Sequence, residues 1–235
     1  METSLHRQLK QAYAAQPSAT EVVLSDFRID AINAEGELVE IQHASLGALR
    51  VKAGRILQAD EQLRLRVVKP IVGRKWIVTR ASRKGPVLRR RLSPKRGRLC
   101  DVFLDLVYFA KVFPHPRLTL EVILVDVEEH RIPKLKHRFR RKNYTTLEQT
   151  LLAMHERREI RTAHELWSLL PATAMPQVFD TAELARQIQR PRWFAQKVAY
   201  CLRHAAAITP VGKSGNSQLY SCVAPRSRRK PRRAS

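Results

Sequence analysis

Residues 21–52 read EVVLSDFRIDAINAEGELVEIQHASLGALRVK, and the middle of this stretch is hairpin chemistry. Phe27–Ile32 and Glu37–Gln42 are β-rich, and the segment Asn33-Ala34-Glu35-Gly36 between them is turn chemistry, with Gly36 suited to the left-handed position of a three-residue loop. If Ala34, Glu35 and Gly36 form the loop, Asn33 pairs with Glu37, and the ladder then sets Asp30 opposite Glu40 and Arg28 opposite Gln42. Strand alternation puts Arg28, Asp30, Glu40 and Gln42 on one face and Phe27, Ile29, Val39 and Ile41 on the other. Two opposed carboxylates, with Cβ atoms about 5 Å apart, repel each other unless a cation lies between them. Mg²⁺ or Mn²⁺ is the expected resident, since hard cations take oxygen ligands. A solvated face neutralised by Arg28 is the open alternative on spacing alone.

Outward from the hairpin, Leu5, Leu9 and Tyr13 repeat at helical spacing and stop before Pro17, and Glu21–Leu24 precedes the hairpin as a further strand. A helix from Ser45 carries Leu46, Leu49 and Ile56. Strands are predicted over Leu63–Val68 and Lys75–Thr79, with Val72-Gly73 between them, followed by a basic hairpin or loop from Arg80 to Arg98. Leu99, Val102, Phe103, Leu106, Ala110 and Phe113 read as a buried helix, and Leu118–Val127 as a strand. The order αβββαββαβ predicts an α/β fold with a mixed sheet flanked by helices. From His130 to Asn143 the run is too charged for a core. Thr145 with Glu148 and Thr162 with Glu165 are spaced as capping boxes and predict two connecting helices.

The span from Glu21 to Lys52 resembles the core of the PD-(D/E)XK nuclease superfamily: helix, hairpin carrying Asp and then Glu-x-Lys, helix, strand. The resemblance implies a restriction-endonuclease-like fold in which Asp30 and Glu40 hold Mg²⁺ or Mn²⁺, with Glu21 as a further acidic ligand. The family's lysine position is Gln42 here, in Glu40-Ile41-Gln42. A neutral amide orients a water but does not stabilise developing negative charge as an ammonium does. Lys52, or Arg50, from the following helix is the expected substitute. The implied activity is metal-dependent hydrolysis of DNA phosphodiesters. A non-enzymatic DNA-binding or regulatory protein on an inactive nuclease scaffold is the alternative, and Gln42 is its argument.

From Phe179 the chain reads as helix, turn, longer helix and glycine-tipped hairpin, a winged helix-turn-helix pattern. Leu184 and Ile188 face the interior from the first helix, and Trp193, Val198, Ala199 and Leu202 from the second. Arg192, Gln196, Lys197, Tyr200, Arg203 and His204 form its outward face, suited to phosphates and base edges. Ile208–Val211 and Gln218–Cys222 form the wing, with Lys213 and Asn216 between them. Lys95 and Arg96 in the earlier basic loop, together with Arg50, are candidate phosphate contacts. The expected domains are a nuclease-like domain over 1–130, a basic linker and helical connector over 131–176, a winged helix over 177–223 and a disordered basic tail over 224–235. The whole architecture resembles uncharacterised bacterial proteins with this core and a winged helix.

Composition supports a polyanionic partner: 44 Lys and Arg against 21 Asp and Glu give a net charge of +23, more than solubility requires. Nucleic acid, DNA in particular, is the expected partner, and homo-oligomerisation is left open. With 44% hydrophobic residues the chain fills a real core. The apolar stretches Cys100–Phe113 and Leu118–Val127 are too short and too often charged to span a bilayer, and Met1–Gln11 has no apolar signal region. The expected compartment is the cytoplasm, in association with the nucleoid. Cys100, Cys201 and Cys222 lack metal-ligand spacing and are read as reduced core thiols.

Overall fold

The computed structural model describes residues 3–24, 26–134, 143–171 and 175–223. Most of the expected basic linker's charge and the tail over 224–235 lie outside them. Two compact units divide between Arg161 and Thr162.

The first unit runs α1 (Ser4–Tyr13), β1 (Thr20–Leu24), β2 (Phe27–Ile32), β3 (Leu38–Ile41), α2 (Arg50–Ala59), β4 (Leu65–Arg80), β5 (Val87–Leu92), α3 (Phe103–Leu106), β6 (Leu118–Pro133) and β7 (Tyr144–Ile160). One mixed sheet follows the order β1-β2-β3-β4-β6-β7, with β5 beside the far end of β4. The parallel pairs β3–β4 and β4–β6 lie at its centre, and the flanking pairs are antiparallel. Leu5 and Leu9 of α1 pack on Ala31, Val39, Ile41, Val68, Ile123, Val125 and Val127, forming a fully apolar layer on one face. Alternation along β3 turns Glu40 to the opposite face, where α2 lies. The hairpin turn has Asn33 N–H donating to the Glu37 carbonyl at 3.2 Å, with Gly36 at φ +74°, a conformation that favours glycine.

Four expectations about this unit are corrected. The strands at Leu63–Val68 and Lys75–Thr79 are one strand, β4, because β6 pairs with it throughout. Pro70 lies after the last β3 partner, Val68, and before the first β5 partner, Trp76, so its missing N–H costs no bond there. Gly73 accommodates the Leu124 side chain, which would lie 2.9 Å from an added Cβ. The long helix over Leu99–Phe113 is a succession of short turns around α3, although Leu99, Val102, Phe103, Leu106 and Phe113 are buried as their spacing implied. The Thr145–Glu148 pair starts no helix: β7 runs through it, and Gln149 donates to the buried Glu129 of β6 at 2.8 Å. Tertiary pairing outweighs a local cap of about 1 kcal/mol. The first unit therefore extends to Arg161, beyond the expected boundary at 130, and takes in much of the expected connector.

The second unit begins with a reciprocal capping box, in which Thr162 N–H donates to Glu165 and Glu165 N–H to Thr162. It introduces a 3₁₀ turn, His164–Leu169, rather than an α-helix. Then come β8 (Val178–Phe179), α4 (Thr181–Gln187), α5 (Arg192–His204), β9 (Ile208–Ser214) and β10 (Ser217–Cys222), with strand order β8-β10-β9. Asp180 caps α4, accepting from the amides of Ala182 and Glu183 at 2.9 and 2.8 Å. Phe194, Val198 and Leu202 are fully buried, whereas Trp193, expected inside, is 53% exposed. Cys222 is likewise exposed, while Cys100 and Cys201 are buried.

A buried charge network ties the first unit together. Arg66 of β4 donates to Glu37 at 2.6 Å, Glu121 at 2.5 Å and Glu159 at 2.8 Å, and the Tyr13 hydroxyl donates to Glu121 at 2.5 Å. Removing the shared guanidinium costs about 3–5 kcal/mol, because Glu37 and Glu121 stay buried without it, whereas the more exposed Glu159 keeps Arg161 at 2.8 Å. Arg66→Met is expected to destabilise the protein by that amount in urea denaturation. A loss below about 1 kcal/mol would show that the carboxylates find other partners.

Candidate functional site

The antiparallel ladder between β2 and β3 holds the pairs Ile32–Leu38 and Ala31–Val39 and stops there. Beyond it, side chains replace the backbone partners. Asp30 Oδ2 accepts the Ile41 N–H at 2.8 Å, and the Glu40 carboxylate is held by Lys52. The register brings Asp30 and Glu40 next to each other, as the hairpin reading requires, but Arg28 does not face Gln42. It pairs with Val23 of β1, and its guanidinium bonds to Glu21.

Glu21 of β1 lies between the pairs Thr20–Ala31 and Val22–Ile29, beside Asp30 of β2. Its φ of +54° is rare for a residue with a side chain and costs about 1 kcal/mol. Lys10 of α1 bridges the acids, 2.8 Å from Glu21 and 3.6 Å from Asp30, and His6 Nε2 is 3.2 Å from Asp30 Oδ1. On the other side Lys52 of α2 contacts Glu40 at 2.5 Å and donates to the Arg28 carbonyl. Carboxylates from three adjacent strands are thus interleaved with two ammonium groups. His6, Lys10, Glu21, Arg28, Gln42 and His43 border a cleft of about 530 Å³.

The two central carboxylates are driven in opposite directions. Burial opposes ionisation of Asp30, but hydrogen bonds from His6 and the Ile41 amide, with the charges of His6 and Lys10, outweigh it and hold the carboxyl below its ordinary range. At Glu40 burial dominates, Asp30 adds to it, and Lys52 offsets it only in part, so this carboxyl is raised. Glu21 is held low by Lys10 and Arg28. Burial and the charges of Lys69, His6 and Lys75 lower His43, which favours its neutral form.

Asp30 and Glu40 offer the hard oxygen donors that Mg²⁺ takes. Among the described residues no group of three or more His, Cys, Asp or Glu is arranged to hold a metal ion, and Glu21 is engaged by Lys10 and Arg28. Asp30 and Glu40 are likewise engaged, by Lys10 and His6 and by Lys52 respectively, so a cation that took both carboxylates would displace those side chains.

Gln42 donates its amide to the Ser45 carbonyl at 2.8 Å, steadying the turn into α2. Arg50 is exposed at the start of α2. Lys95 and Arg96 are exposed on a loop that closes back on β4 through Gly97 N–H and the Val72 carbonyl at 3.0 Å. Both are bonded within their own loop, Arg96 to the Ser93 and Lys95 carbonyls and the Lys95 N–H to the Ser93 hydroxyl. In the second unit Arg192, Gln196, Tyr200, Arg203 and Asn216 line one cleft of about 310 Å³ between α5 and the β9–β10 hairpin. Lys197, half-buried on α5, and Lys213, exposed on β9, lie outside its lining.

Residues 3–161 match the family described as Domain of unknown function (DUF8091). The chain belongs to this family. The family's span coincides with the first unit, so the carboxylates of β1–β3 and both interleaved lysines fall within it. A protein of Treponema pallidum (strain Nichols) described as uncharacterized is 26% identical over 230 residues, covering 98% of this chain and 89% of that protein. The similarity thus extends through the second unit. No solved structure matches the chain. No helix among the described residues is long and apolar enough to cross a membrane.

Sequence reasoning missed Lys10 and His6. A lysine one position after Leu9, on a helix whose apolar residues face the sheet, was the available signal: Lys10 is only 6% exposed. It also missed Lys69, which is buried on β4 and held by Asp105 at 2.7 Å and by the carbonyls of His43 and Ala44.

The opposed shifts predict opposite effects of neutralisation without metal. Asp30 has a depressed folded pKa, so it stabilises the fold above the ordinary carboxylate range and loses that contribution as pH falls through the folded pKa. Asp30→Asn is expected to lower Tm at neutral pH, with the difference fading in acid. Glu40 has a raised folded pKa, so stability falls as pH rises from the unfolded to the folded value. Glu40→Gln is expected to preserve or raise Tm at neutral pH, again converging with wild type in acid. Thermal melts in EDTA across pH test this; equal losses for both variants at neutral pH would refute the assignment.

Proposed function

We propose that the chain is a Mg²⁺-dependent nuclease that hydrolyses phosphodiester bonds in DNA. The observation that carries the reading is the juxtaposition of Asp30 and Glu40 where β2 and β3 part, with Lys52 Nζ 2.5 Å from Glu40. The order α1-β1-β2-β3-α2-β4, with β4 parallel to β3, supports a restriction-endonuclease-like core. Asp30 and Glu40 would hold the cation. The chemistry supplied there is Lewis acidity toward a phosphoryl oxygen and a lowered pKa of the attacking water.

Lys52 reaches the pair from the following helix and provides the ammonium that Gln42 does not. Its charge suits the developing negative charge of a phosphoryl group, and its bonds to Glu40 and the Arg28 carbonyl hold it there. Gln42 borders the cleft that His6, Lys10, Glu21 and Arg28 line, with its amide held by the Ser45 carbonyl. Lys10 keeps Glu21 and Asp30 from repelling each other and is a positioning residue. In the second unit, α4, α5 and the hairpin with strand order β8-β10-β9 support a winged helix that delivers DNA, which would place the protein on the cytoplasmic nucleoid. The second reading, a DNA-binding protein without cleavage, draws on the tethered Gln42 amide and on Lys52 lying directly on Glu40.

The test is incubation of purified protein with linear, nicked, branched and single-stranded DNA, with Mg²⁺ or Mn²⁺ and with EDTA. Metal-dependent cleavage is expected, lost in Asp30→Asn and Glu40→Gln, and reduced by about 10² or more in Lys52→Ala with DNA affinity little changed. Arg50→Ala is the comparison and should cut normally. Salt-sensitive DNA retention with no cleavage of any substrate would transfer the conclusion to the second reading.

A further inference from the structure

From Leu184 to Val223 the chain contains no Asp or Glu and six Lys or Arg. The long helix of this stretch, α5, buries Phe194, Ala195, Val198, Ala199, Cys201 and Leu202. Its outer face is not simply charged. Trp193 is 53% exposed and Tyr200 40% exposed, and the Tyr200 ring lies 4.2 Å from the ring of His204. At 100° per residue, Tyr200 and His204 fall within about 20° of Trp193 around the helix, so the three rings form one ridge along the axis. Arg192, Gln196 and Arg203 fall about 60–100° to one side of that ridge, and Lys197 about 40° to the other.

The side occupied by Arg192, Gln196 and Arg203 opens into the cleft with the hairpin. Asn216, Ser217 and Gln218 close it, Arg192 donates to Ser217 at 3.2 Å, and the acidic group in contact with these residues is Asp180, which bonds Ser217 and caps α4. This exposure of rings is unusual for a face that meets only phosphates. An indole can donate one N–H to a phosphate but its apolar face finds no partner there, whereas every base offers a π-face, and stacking contributes about 1–3 kcal/mol per base. The flanking cations track a backbone, and the ridge meets what that backbone carries.

We propose that α5 binds unpaired nucleotides of single-stranded DNA, with bases stacked on Trp193 and Tyr200 and the phosphates following Arg192 and Arg203 along the cleft. The proposal rests on the reading of the chain as DNA-binding and adds the strand state it selects: a frayed end, flap or gap rather than continuous duplex. Duplex engagement through the same cations remains as a weaker, sequence-independent mode.

The experiment uses the full-length protein in EDTA, so cleavage does not enter, with labelled oligo(dT) of about 20 nucleotides, a duplex of equal length and oligo(rU), read by anisotropy across salt concentrations. Trp193 and Tyr200 are exposed, so their truncation opens no core cavity, and circular dichroism checks the fold. Trp193→Ala/Tyr200→Ala is expected to weaken oligo(dT) binding by about tenfold or more, leave duplex binding within about twofold and leave the salt slope unchanged, because no charge is lost. Trp193→Phe should restore part of the loss. Arg192→Ala/Arg203→Ala should weaken both DNA forms and flatten the salt slope. Equal loss on duplex and oligo(dT), no loss on oligo(dT), or tight oligo(rU) binding without oligo(dT) binding would overturn the proposal while leaving nucleic-acid binding intact. Absence of binding to all three probes would sink that broader reading as well.

Discussion

The parting of β2 and β3 after the Ala31–Val39 pair organises the first unit's chemistry. A regular hairpin would satisfy its amides with opposite carbonyls, leaving Asp30 and Glu40 as surface side chains. Here the Asp30 carboxylate accepts the Ile41 N–H from the other strand, and the Glu40 carboxylate takes the Lys52 ammonium. The hydrogen bond that Ile41 would donate along the backbone ladder goes instead to an acidic side chain. That arrangement brings the acids together at the boundary between layers, where α1 supplies Lys10 and His6, and α2 supplies Lys52. It also explains their contrasting ionisation. Asp30 has amide and cation partners sufficient to overcome burial, whereas Glu40 does not.

Such a site is maintained against local cost. Glu21 occupies a left-handed backbone conformation, and Glu40 is held in surroundings that disfavour its charge. The apolar layer of Leu5 and Leu9 against β2, β3, β4 and β6, together with the Arg66 network, supplies the rigidity that keeps these groups in place. The second unit has a different character. Its core is small and apolar, its outward helix face is aromatic and basic, and the stretch carrying that face has no acidic residue.

Much of this was legible from residues close in sequence. The hairpin register followed from Asn33 to Gly36, because one glycine-ended turn determines which residues meet. The apolar stripe of α1, the Asp180 cap and the inner face of α5 were readable by period. The illegible features depend on partners far along the chain. Thr145 and Glu148 have the chemistry of a helix start, yet β6 recruits that segment as a strand. Val72-Gly73 has the chemistry of a break, yet β6 carries β4 through it. Lys10 and His6 join the site only because α1 lies across the sheet, an arrangement that no spacing between Glu21 and Lys52 encodes. Trp193, grouped above with the inward residues of α5, stands opposite Leu202 and beside Tyr200 at 100° per residue, so the spacing itself places it outward.

In the proposed nuclease Asp30 and Glu40 together would hold a divalent cation at the scissile phosphodiester. The most direct test of this is anomalous diffraction from crystals of the protein with Mn²⁺ and a short uncleavable DNA. The account predicts a Mn²⁺ peak about 2.0–2.2 Å from oxygens of both Asp30 and Glu40, with a phosphate completing the shell and Lys52 turned from Glu40 toward that phosphate. Lys52 still paired with Glu40, and no peak at either carboxylate in crystals that bind DNA, would contradict it.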